Sequence, residues 1–282
     1  YSGAAIAFTD YLKEFPSGAF KSEAQFYRGE SYYKVEQYNK ALPDFEAVIK
    51  SNKTKLLEYA LVRAAWIEYY QNEDYQTAYT YYERLYEVAD YKENTFVALV
   101  GMLRTAYYLN DYNEVIVNAN RILNSDLVTN AERIDAHYYS GQAHLANNSI
   151  DKAYDAFSKA AALTTNELGV ESRFHMADIL FQKGKLDESK AKCNEIINDL
   201  PSYDEWIIRS YILIADIAAA KGDFAQAKAT LNSIIDNYTG DPSLVDLARE
   251  KLAQIEQMEK SGKRKSEPED TNDELELNFD NN

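Results

Sequence analysis

The segment at residues 24–33 reads AQFYRGESYY, and after a short turn the chain continues with YNKA at residues 38–41 and with Phe45. Tyr38 opens this second stretch, and equivalent anchor residues recur at spacings of 37, 37, 37, 38, 36 and 38 residues. The seven anchors are Tyr1, Tyr38, Tyr75, Tyr112, Ile150, Leu186 and Phe224. A fixed period of this length is the sequence signature of a repeat architecture.

Each anchor opens a segment with the pattern of an α-helix. Positions three, seven and ten residues after Tyr38 hold Ala41, Phe45 and Val48, and most other copies repeat a small residue and then larger apolar ones. Offsets of three and four residues place these side chains on one face of a helix. A second helical run precedes each anchor, separated from it by turn residues such as Asn110 and Asp111. The pattern therefore predicts two helices per period, which is a helical hairpin.

The helices of a hairpin carry small residues where they are expected to face each other. In the first helix, this position is small in four hairpins, at Gly29, Gly141, Ala177 and Ala215. Trp66 and Leu103 stand at the same position in the second and third full hairpins. We expect these two bulky side chains to push their helices apart.

The combined pattern resembles the tetratricopeptide repeat, which has a small residue in each helix, an aromatic residue after the turn and a proline after the second helix. The resemblance covers about residues 1–240. It implies an all-α fold, a right-handed superhelical solenoid of about fourteen helices that binds other proteins. The period here is longer than the usual repeat of about 34 residues, and only Pro16 and Pro201 keep the terminal proline.

The start of the chain is similar to a narrower group within this superfamily. The segment FTDYLKEFP at residues 8–16, followed by YRGE at residues 27–30, resembles bacterial cell-envelope members, the Tol-Pal accessory and outer-membrane assembly lipoproteins. This resemblance implies a periplasmic location and a function in binding partner proteins. Because Tyr1 stands where a second helix begins, we also expect the chain to be the C-terminal part of a longer repeat array.

Composition argues against several classes of partner. The chain has 30 basic and 46 acidic residues and a net charge of -16, whereas nucleic-acid binding requires clustered Lys and Arg. We therefore expect no nucleic-acid partner. No apolar run reaches the roughly 18 residues of a membrane-spanning helix. Cys193 is the only cysteine, and its place in the repeat predicts a small buried side chain.

The sequence shows no recognisable catalytic or metal-binding pattern. It has no glycine-rich phosphate loop, no metalloprotease histidine pair and no nucleophile elbow. His137 and His144 occupy packing positions without a carboxylate or thiolate at ligand spacing. We expect no enzyme activity, no cofactor and no metal. A helical toroid hydrolase stays an alternative, since hairpins of similar length also build such enzymes.

A binding face is predicted along the first helices, which line the concave side of the solenoid in this family. The predicted groove residues are Phe26, Tyr33, Lys34, Arg63, Tyr70, Arg104, Tyr107, Tyr138, Phe174 and Phe181. Exposed Tyr, Phe and Arg side chains are typical of binding hot spots, although neighbouring helices could instead cover these rings. We expect a scaffold that binds a partner protein or peptide in this groove. The alternative is a glycan-binding envelope lipoprotein of nutrient uptake, because aromatic rings also stack on sugars.

The chain is expected to divide into a solenoid at residues 1–260, ending in a capping helix, and a disordered acidic tail at residues 261–282. Residues 266–282 hold seven acidic residues and no basic one, a composition that favours disorder.

The tail also carries an alternating apolar pattern. Leu275, Leu277 and Phe279 alternate with polar residues, so in an extended chain they would lie on one side. One hypothesis is that this strip binds the aromatic groove of a second copy, with its acids meeting Arg63, Arg104 or Lys34, and so mediates self-association. The alternative is a solvated acidic tail.

Overall fold

A computed structural model describes residues 1–51, 55–200 and 202–266. Within these residues the chain forms fourteen α-helices, one five-residue π-turn at Glu68–Asn72 and no β-strand. The helices are α1 Ser2–Glu14, α2 Lys21–Tyr33, α3 Tyr38–Ser51, α4 Leu57–Ile67, α5 Tyr75–Val88, α6 Lys92–Tyr108, α7 Tyr112–Leu123, α8 Asn130–Ala146, α9 Ile150–Leu163, α10 Glu167–Gln182, α11 Leu186–Asp199, α12 Asp204–Ala220, α13 Phe224–Asn237 and α14 Pro242–Ser266. The predicted all-α fold of about fourteen helices is confirmed.

Each hairpin turn contains one residue in the left-handed backbone conformation. It lies two residues before the anchor in every full hairpin, at Glu36, Glu73, Asn110, Asn148, Gly184 and Gly222, with φ between 52° and 82°. A left-handed residue ends the first helix and redirects the chain. The period seen in the sequence thus has a counterpart in the backbone.

The second full hairpin contains one extra residue at the end of its first helix. In the other five turns, the residue before the anchor donates its N–H to the carbonyl five residues earlier, as Asp111 does to Ala106 at 2.9 Å. Asp74 donates instead to Glu68, six residues earlier, at 3.0 Å. The π-turn accounts for the difference, since such turns widen one helical turn.

This extra residue shifts the register of α4, and the expectation for Trp66 is therefore wrong. Counted through the π-turn, Ala65 takes the small position, where it is fully buried in a cluster with Ala78 and Tyr82. Trp66 turns away from that contact and is only half-buried, with its ring centroid 5.1 Å from that of Tyr70. A bulky side chain does not separate these two helices.

Leu103 is accommodated because the large and the small residue exchange places between the two helices of its hairpin. It is fully buried, and it shares a core cluster with Ala119, which stands where the first full hairpin has Phe45. The large residue is here in the first helix and the small one in the second. Such an exchange keeps the packed volume similar, which cores tolerate well.

The helices group into two compact units, Tyr1–His175 and Met176–Asn282. In the first unit consecutive helices from α1 to α9 pack against each other, as α5 does with α4 and α6. In the second unit α12 packs against α11, α13 and α14. Fully buried Phe45 and Leu61 belong to a core of the first unit, and fully buried Leu231 belongs to that of the second.

The end of the chain differs from the expected boundary at residue 260. Helix α14 continues to Ser266, so the first residues assigned to the tail are helical. Residues 267–282, with the alternating strip, lie outside the described residues. The division into solenoid and tail therefore stays a prediction. Among the helices that the structure describes, none combines the length and the apolar character needed to cross a bilayer.

Candidate functional site

Aromatic rings of the first unit form a continuous row across successive hairpins. The consecutive pairs, with their centroid distances, are Tyr33–Trp66 (5.3 Å), Trp66–Tyr70 (5.1 Å), Tyr70–Tyr69 (4.6 Å), Tyr69–Tyr108 (5.9 Å), Tyr108–Tyr107 (5.7 Å) and Tyr107–Tyr139 (4.8 Å). We call these seven residues the aromatic row. Tyr70 and Tyr108 are 48% and 47% exposed. The row therefore combines mutual support between rings with surface that a ligand can reach.

The repeat itself places these rings side by side. The row contains a tyrosine five residues before the anchor in each of three hairpins, at Tyr33, Tyr70 and Tyr107. These tyrosines therefore occupy equivalent positions, near the ends of α2, of the π-turn and of α6. Trp66 joins them because the π-turn turns it out of the helix contact. The row is thus a product of the period and of its single irregularity.

Arg63 forms an ion pair with the neighbouring first helix. Its Nε donates to Glu30 Oε1 at 2.6 Å and its Nη2 donates to Oε2 at 3.3 Å. Its guanidinium also lies 4.6 Å from the centroid of the Tyr33 ring. The hydrogen bond to Glu30 raises the pKa of Arg63 above its ordinary value. Arg63 thus links α2 to α4.

Arg104 has the same role one hairpin further on. Its Nη2 donates to Asp135 Oδ2 at 2.6 Å, and its Nη1 lies 3.5 Å from the hydroxyl of Tyr70. Since both predicted arginines of the groove are paired with carboxylates, they offer little net charge to an acidic ligand. The expectation that they meet the acids of the tail stays a prediction, because residues 267–282 lie outside the described residues.

The ten predicted groove residues differ in how accessible they are. Lys34 and Tyr70 are exposed, and six are partly buried: Tyr33, Arg63, Arg104, Tyr107, Phe174 and Phe181. Phe26 and Tyr138 are buried, with 6% and 7% of their surface exposed. Phe26 packs edge-on against Phe45 at 5.8 Å, and the Tyr138 hydroxyl donates to Glu171 at 2.8 Å. These two rings therefore hold helices together rather than present a binding surface.

The ten predicted groove residues leave out four members of the row, Trp66, Tyr69, Tyr108 and Tyr139. The count from the anchor places Trp66 in the contact between helices, because this count does not register an inserted residue. The signal was a Trp at an otherwise small position with an alanine, Ala65, directly before it. Phe181 lies in the second unit and Phe174 in the first.

Two clefts open between first helices along this face of the first unit. One has a volume of about 210 Å³, and its lining includes Trp66, Tyr70, Arg104 and Glu132. The other has a volume of about 300 Å³, and its lining includes Glu30, Tyr59 and Arg63. Both clefts combine aromatic surface with a few hydrogen-bonding groups, which is typical of ligand sites.

A polar cluster joins α8 to α10 in the first unit. Besides Tyr138, the Glu171 carboxylate has His175 Nε2 at 3.4 Å, and Gln142 Nε2 lies 3.0 Å from the same His175 nitrogen. Burial raises the pKa of the Tyr138 hydroxyl, so it stays a neutral donor to Glu171. The four groups bond to one another, and this arrangement fixes the helices in place.

The remaining candidates for chemistry have packing environments. Burial lowers the pKa of His137 and of His144. Cys193 is fully buried, as predicted, and burial raises the pKa of its thiol to about 12. In the part of the chain that the structure describes, no group of three or more His, Cys, Asp or Glu side chains could hold a metal ion.

Comparisons with known proteins agree on one repeat type. The family model of the tetratricopeptide repeat matches residues 23–53 and 209–240. A tetratricopeptide repeat protein from Parabacteroides merdae has a similar solved structure, with a TM-score of 0.59 and 18% identity over 88% of this chain and 94% of that one. This is the tetratricopeptide fold. No curated protein matches the chain in sequence.

A second solved tetratricopeptide structure supports the same conclusion. YrrB, described as a TPR protein with an unusual peptide-binding site, has a TM-score of 0.54 and 19% identity over 73% of this chain and 97% of its own. Both neighbours are less than 20% identical to this chain, so the likeness concerns the fold. The narrower resemblance to envelope lipoproteins is not confirmed by these likenesses.

Proposed function

We propose that the chain is a protein-interaction scaffold that binds a partner protein or peptide on the aromatic row and in the two clefts beside it. The supporting observation is that seven rings are in contact across four hairpins while Tyr70 and Tyr108 stay half exposed. Rings already held by their neighbours lose little conformational freedom when they bind. The peptide-binding site named for YrrB favours a peptide ligand for this fold.

The charge of the face favours a ligand without many acidic residues. Arg63 and Arg104 are neutralised by Glu30 and Asp135, and the whole chain carries a net charge of -16. An acidic peptide would meet a repulsive field. We infer that the preferred ligand is a neutral or basic peptide with aromatic or aliphatic side chains.

The proposal can be tested with peptides selected from a displayed library against the purified chain. We expect the double variant Tyr70→Ala, Tyr107→Ala to bind a selected peptide more than tenfold more weakly, a loss of about 1.4 kcal/mol or more. Tyr91→Ala is a matched control, since Tyr91 is 56% exposed just before α6 and outside the row. Peptide affinity should be measured by fluorescence anisotropy.

A thermal melt of each variant completes this test. Equal loss of binding in Tyr91→Ala would show that the row is not the binding surface. Unfolding of the double variant would show that its rings belong to the core, which would also defeat the proposal.

A neutral glycan is the second candidate ligand. The ring centroids of Trp66 and Tyr70 lie 5.1 Å apart in a cleft that Arg104 and Glu132 also line, and aromatic rings beside hydrogen-bonding groups suit sugars. Binding of a neutral oligosaccharide that Trp66→Ala abolishes, with no peptide selected, would favour this candidate. Turnover of that oligosaccharide would instead favour the hydrolase.

We also propose a bacterial envelope location, which rests on the resemblance of residues 8–16 to envelope lipoproteins. Fractionation of the source cells should place the protein with the periplasm or the membranes, and recovery with the cytoplasm would contradict the proposal. Self-association through the acidic tail stays a prediction of the sequence. Because Arg63 and Arg104 are already paired, its expected charge contacts are reduced to Lys34.

A further inference from the structure

The second unit contains an open cleft that is not part of the aromatic row. Its volume is about 730 Å³, and it lies between α11 and α13 with α12 beneath it. Ile208, Tyr211, Ile214 and Ile234 give it apolar surface, and Tyr211 is 37% exposed. This volume is within the range of about 300–1,000 Å³ that is usual for ligand sites.

The equivalent space between α3 and α5 in the first unit is bridged by side chains. The Tyr81 hydroxyl of α5 donates to Glu46 Oε1 of α3 at 3.1 Å. Arg84 Nη2 of the same helix donates to the backbone oxygen of Ile49 at 3.2 Å. These two long side chains span the gap between neighbouring second helices.

In α13 the two positions that carry the bridging side chains of α5 hold short residues. Tyr81 and Arg84 stand six and nine residues after their anchor, and the residues six and nine after Phe224 are Thr230 and Ser233. Both line the cleft, and neither is long enough to span it. The two positions that bridge the space beside α5 therefore leave the cleft beside α13 open.

The lining of the cleft has an unusual charge for this protein. Among the residues that the structure describes, its lining includes no Asp or Glu, although the chain has 46 acidic residues. Lys190 is exposed at its rim, and Asn194, Gln226 and Asn237 add amide groups that can donate hydrogen bonds. The cleft is thus suited to an extended segment with one apolar side and an acidic edge.

We propose that this cleft binds the C-terminal segment of the same chain, residues 274–280, which reads ELELNFD. In an extended chain Leu275, Leu277 and Phe279 lie on one side and cover about 14 Å. The part of α13 that lines the cleft, from Gln226 to Asn237, is about 16 Å long. The apolar strip therefore matches the cleft in length, and the acids on the opposite edge face solvent and Lys190.

The chain is long enough to return to the cleft. Lys228 Nζ of α13 donates to Glu259 Oε2 of α14 at 2.7 Å, so this part of α14 lies beside the start of α13, near Gln226. Helix α14 extends about 10 Å further to Ser266. The nine residues from there to Leu275 can span about 30 Å, which exceeds the width of the helices between them.

A synthetic peptide of residues 267–282 tests the proposal when it is added to the full chain and to a chain that ends at Ser266. The truncation leaves every described helix intact. We expect the peptide to bind the truncated chain at least tenfold more tightly, because the tethered tail competes at a high effective concentration in the full chain. A peptide carrying Leu277→Asp and Phe279→Asp should not bind.

Two changes in the cleft provide the matched control. In the truncated chain, Thr230→Tyr with Ser233→Arg rebuilds the bridge seen in α5, and we expect it to abolish binding of the peptide. If this variant does not fold, Lys190→Glu at the exposed rim should still weaken binding severalfold. Neither change touches the aromatic row, so failure here is distinguishable from failure of the proposed scaffold function.

Three results would overturn the proposal. The first is equal affinity of the peptide for the full and truncated chains, and the second is no binding to the truncated chain. The third is a dimer of the full chain, seen by light scattering, that the truncation converts to a monomer, since the tail would then occupy a second copy.

Discussion

Glu36, Glu73, Asn110 and Asn148 hold the left-handed conformation at turn positions where the second unit has Gly184 and Gly222. For a residue with a Cβ, the left-handed conformation is roughly 1–2 kcal/mol less favourable than the right-handed one, whereas glycine adopts both about equally well. The same turn is therefore made at different cost along the chain. This difference is readable in the sequence only after the anchor register is known.

Substitutions at these turns should change the free energy of unfolding in opposite directions. We expect Gly222→Ala to lower the free energy of unfolding by about 1 kcal/mol, since a Cβ there meets no atom within 4 Å and only the backbone is affected. Glu73→Gly should raise it by up to about the same amount. Urea unfolding followed by circular dichroism measures both, and shifts of the same sign would contradict the account.

At the scale of single elements, the π-turn decides what α4 presents to its neighbours. Ala65 is fully buried against Ala78 and Tyr82, so Ala65→Leu should overpack this contact and cost about 1–3 kcal/mol. Trp66→Leu should cost less, because Trp66 lies outside the contact between the paired helices. Thermal melts of the two variants would contradict this register if Trp66→Leu were the more damaging change.

The same turn buries a carboxyl group. Glu68 is 6% exposed; burial raises its pKa, and the hydrogen bond from Asn72 Nδ2 at 2.8 Å offsets this in part. A folded pKa above the unfolded value stabilises the fold at low pH, and this contribution is lost as the pH rises through the folded pKa. We therefore expect Glu68→Gln to raise the melting temperature at about pH 7 and to change it little below about pH 4. A lower melting temperature at pH 7 would disagree with a raised pKa.

Elements with their own anchor were predictable from the sequence, and the π-turn was not. The first residue of α3, α5, α7, α9, α11 and α13 coincides with a predicted anchor, because a local pattern of apolar residues determines each of these helices. An inserted residue leaves the anchors in place and changes only which side chain meets the partner helix. Periodicity alone therefore misplaced Trp66 by one position.

At the scale of the whole molecule, the repeat predicted which positions could form a binding face but not which of them a ligand can reach. Accessibility is set by pairs that are distant in sequence, such as Arg63 with Glu30, 33 residues apart, and Arg104 with Asp135, 31 residues apart. Such pairs have no local signal. For the same reason, Phe26 and Tyr138 were predicted as groove residues although neighbouring helices bury them.

The aromatic row contains one of the two tryptophans of the chain, and this allows the central claim to be tested optically. In a Trp206→Phe variant, Trp66 is the remaining tryptophan, and its emission reports on the row alone. Titration with a selected peptide should change this emission saturably, with the same Kd as anisotropy of the labelled peptide gives. Binding by anisotropy without any change in Trp66 emission would show that the ligand binds elsewhere and would contradict the account.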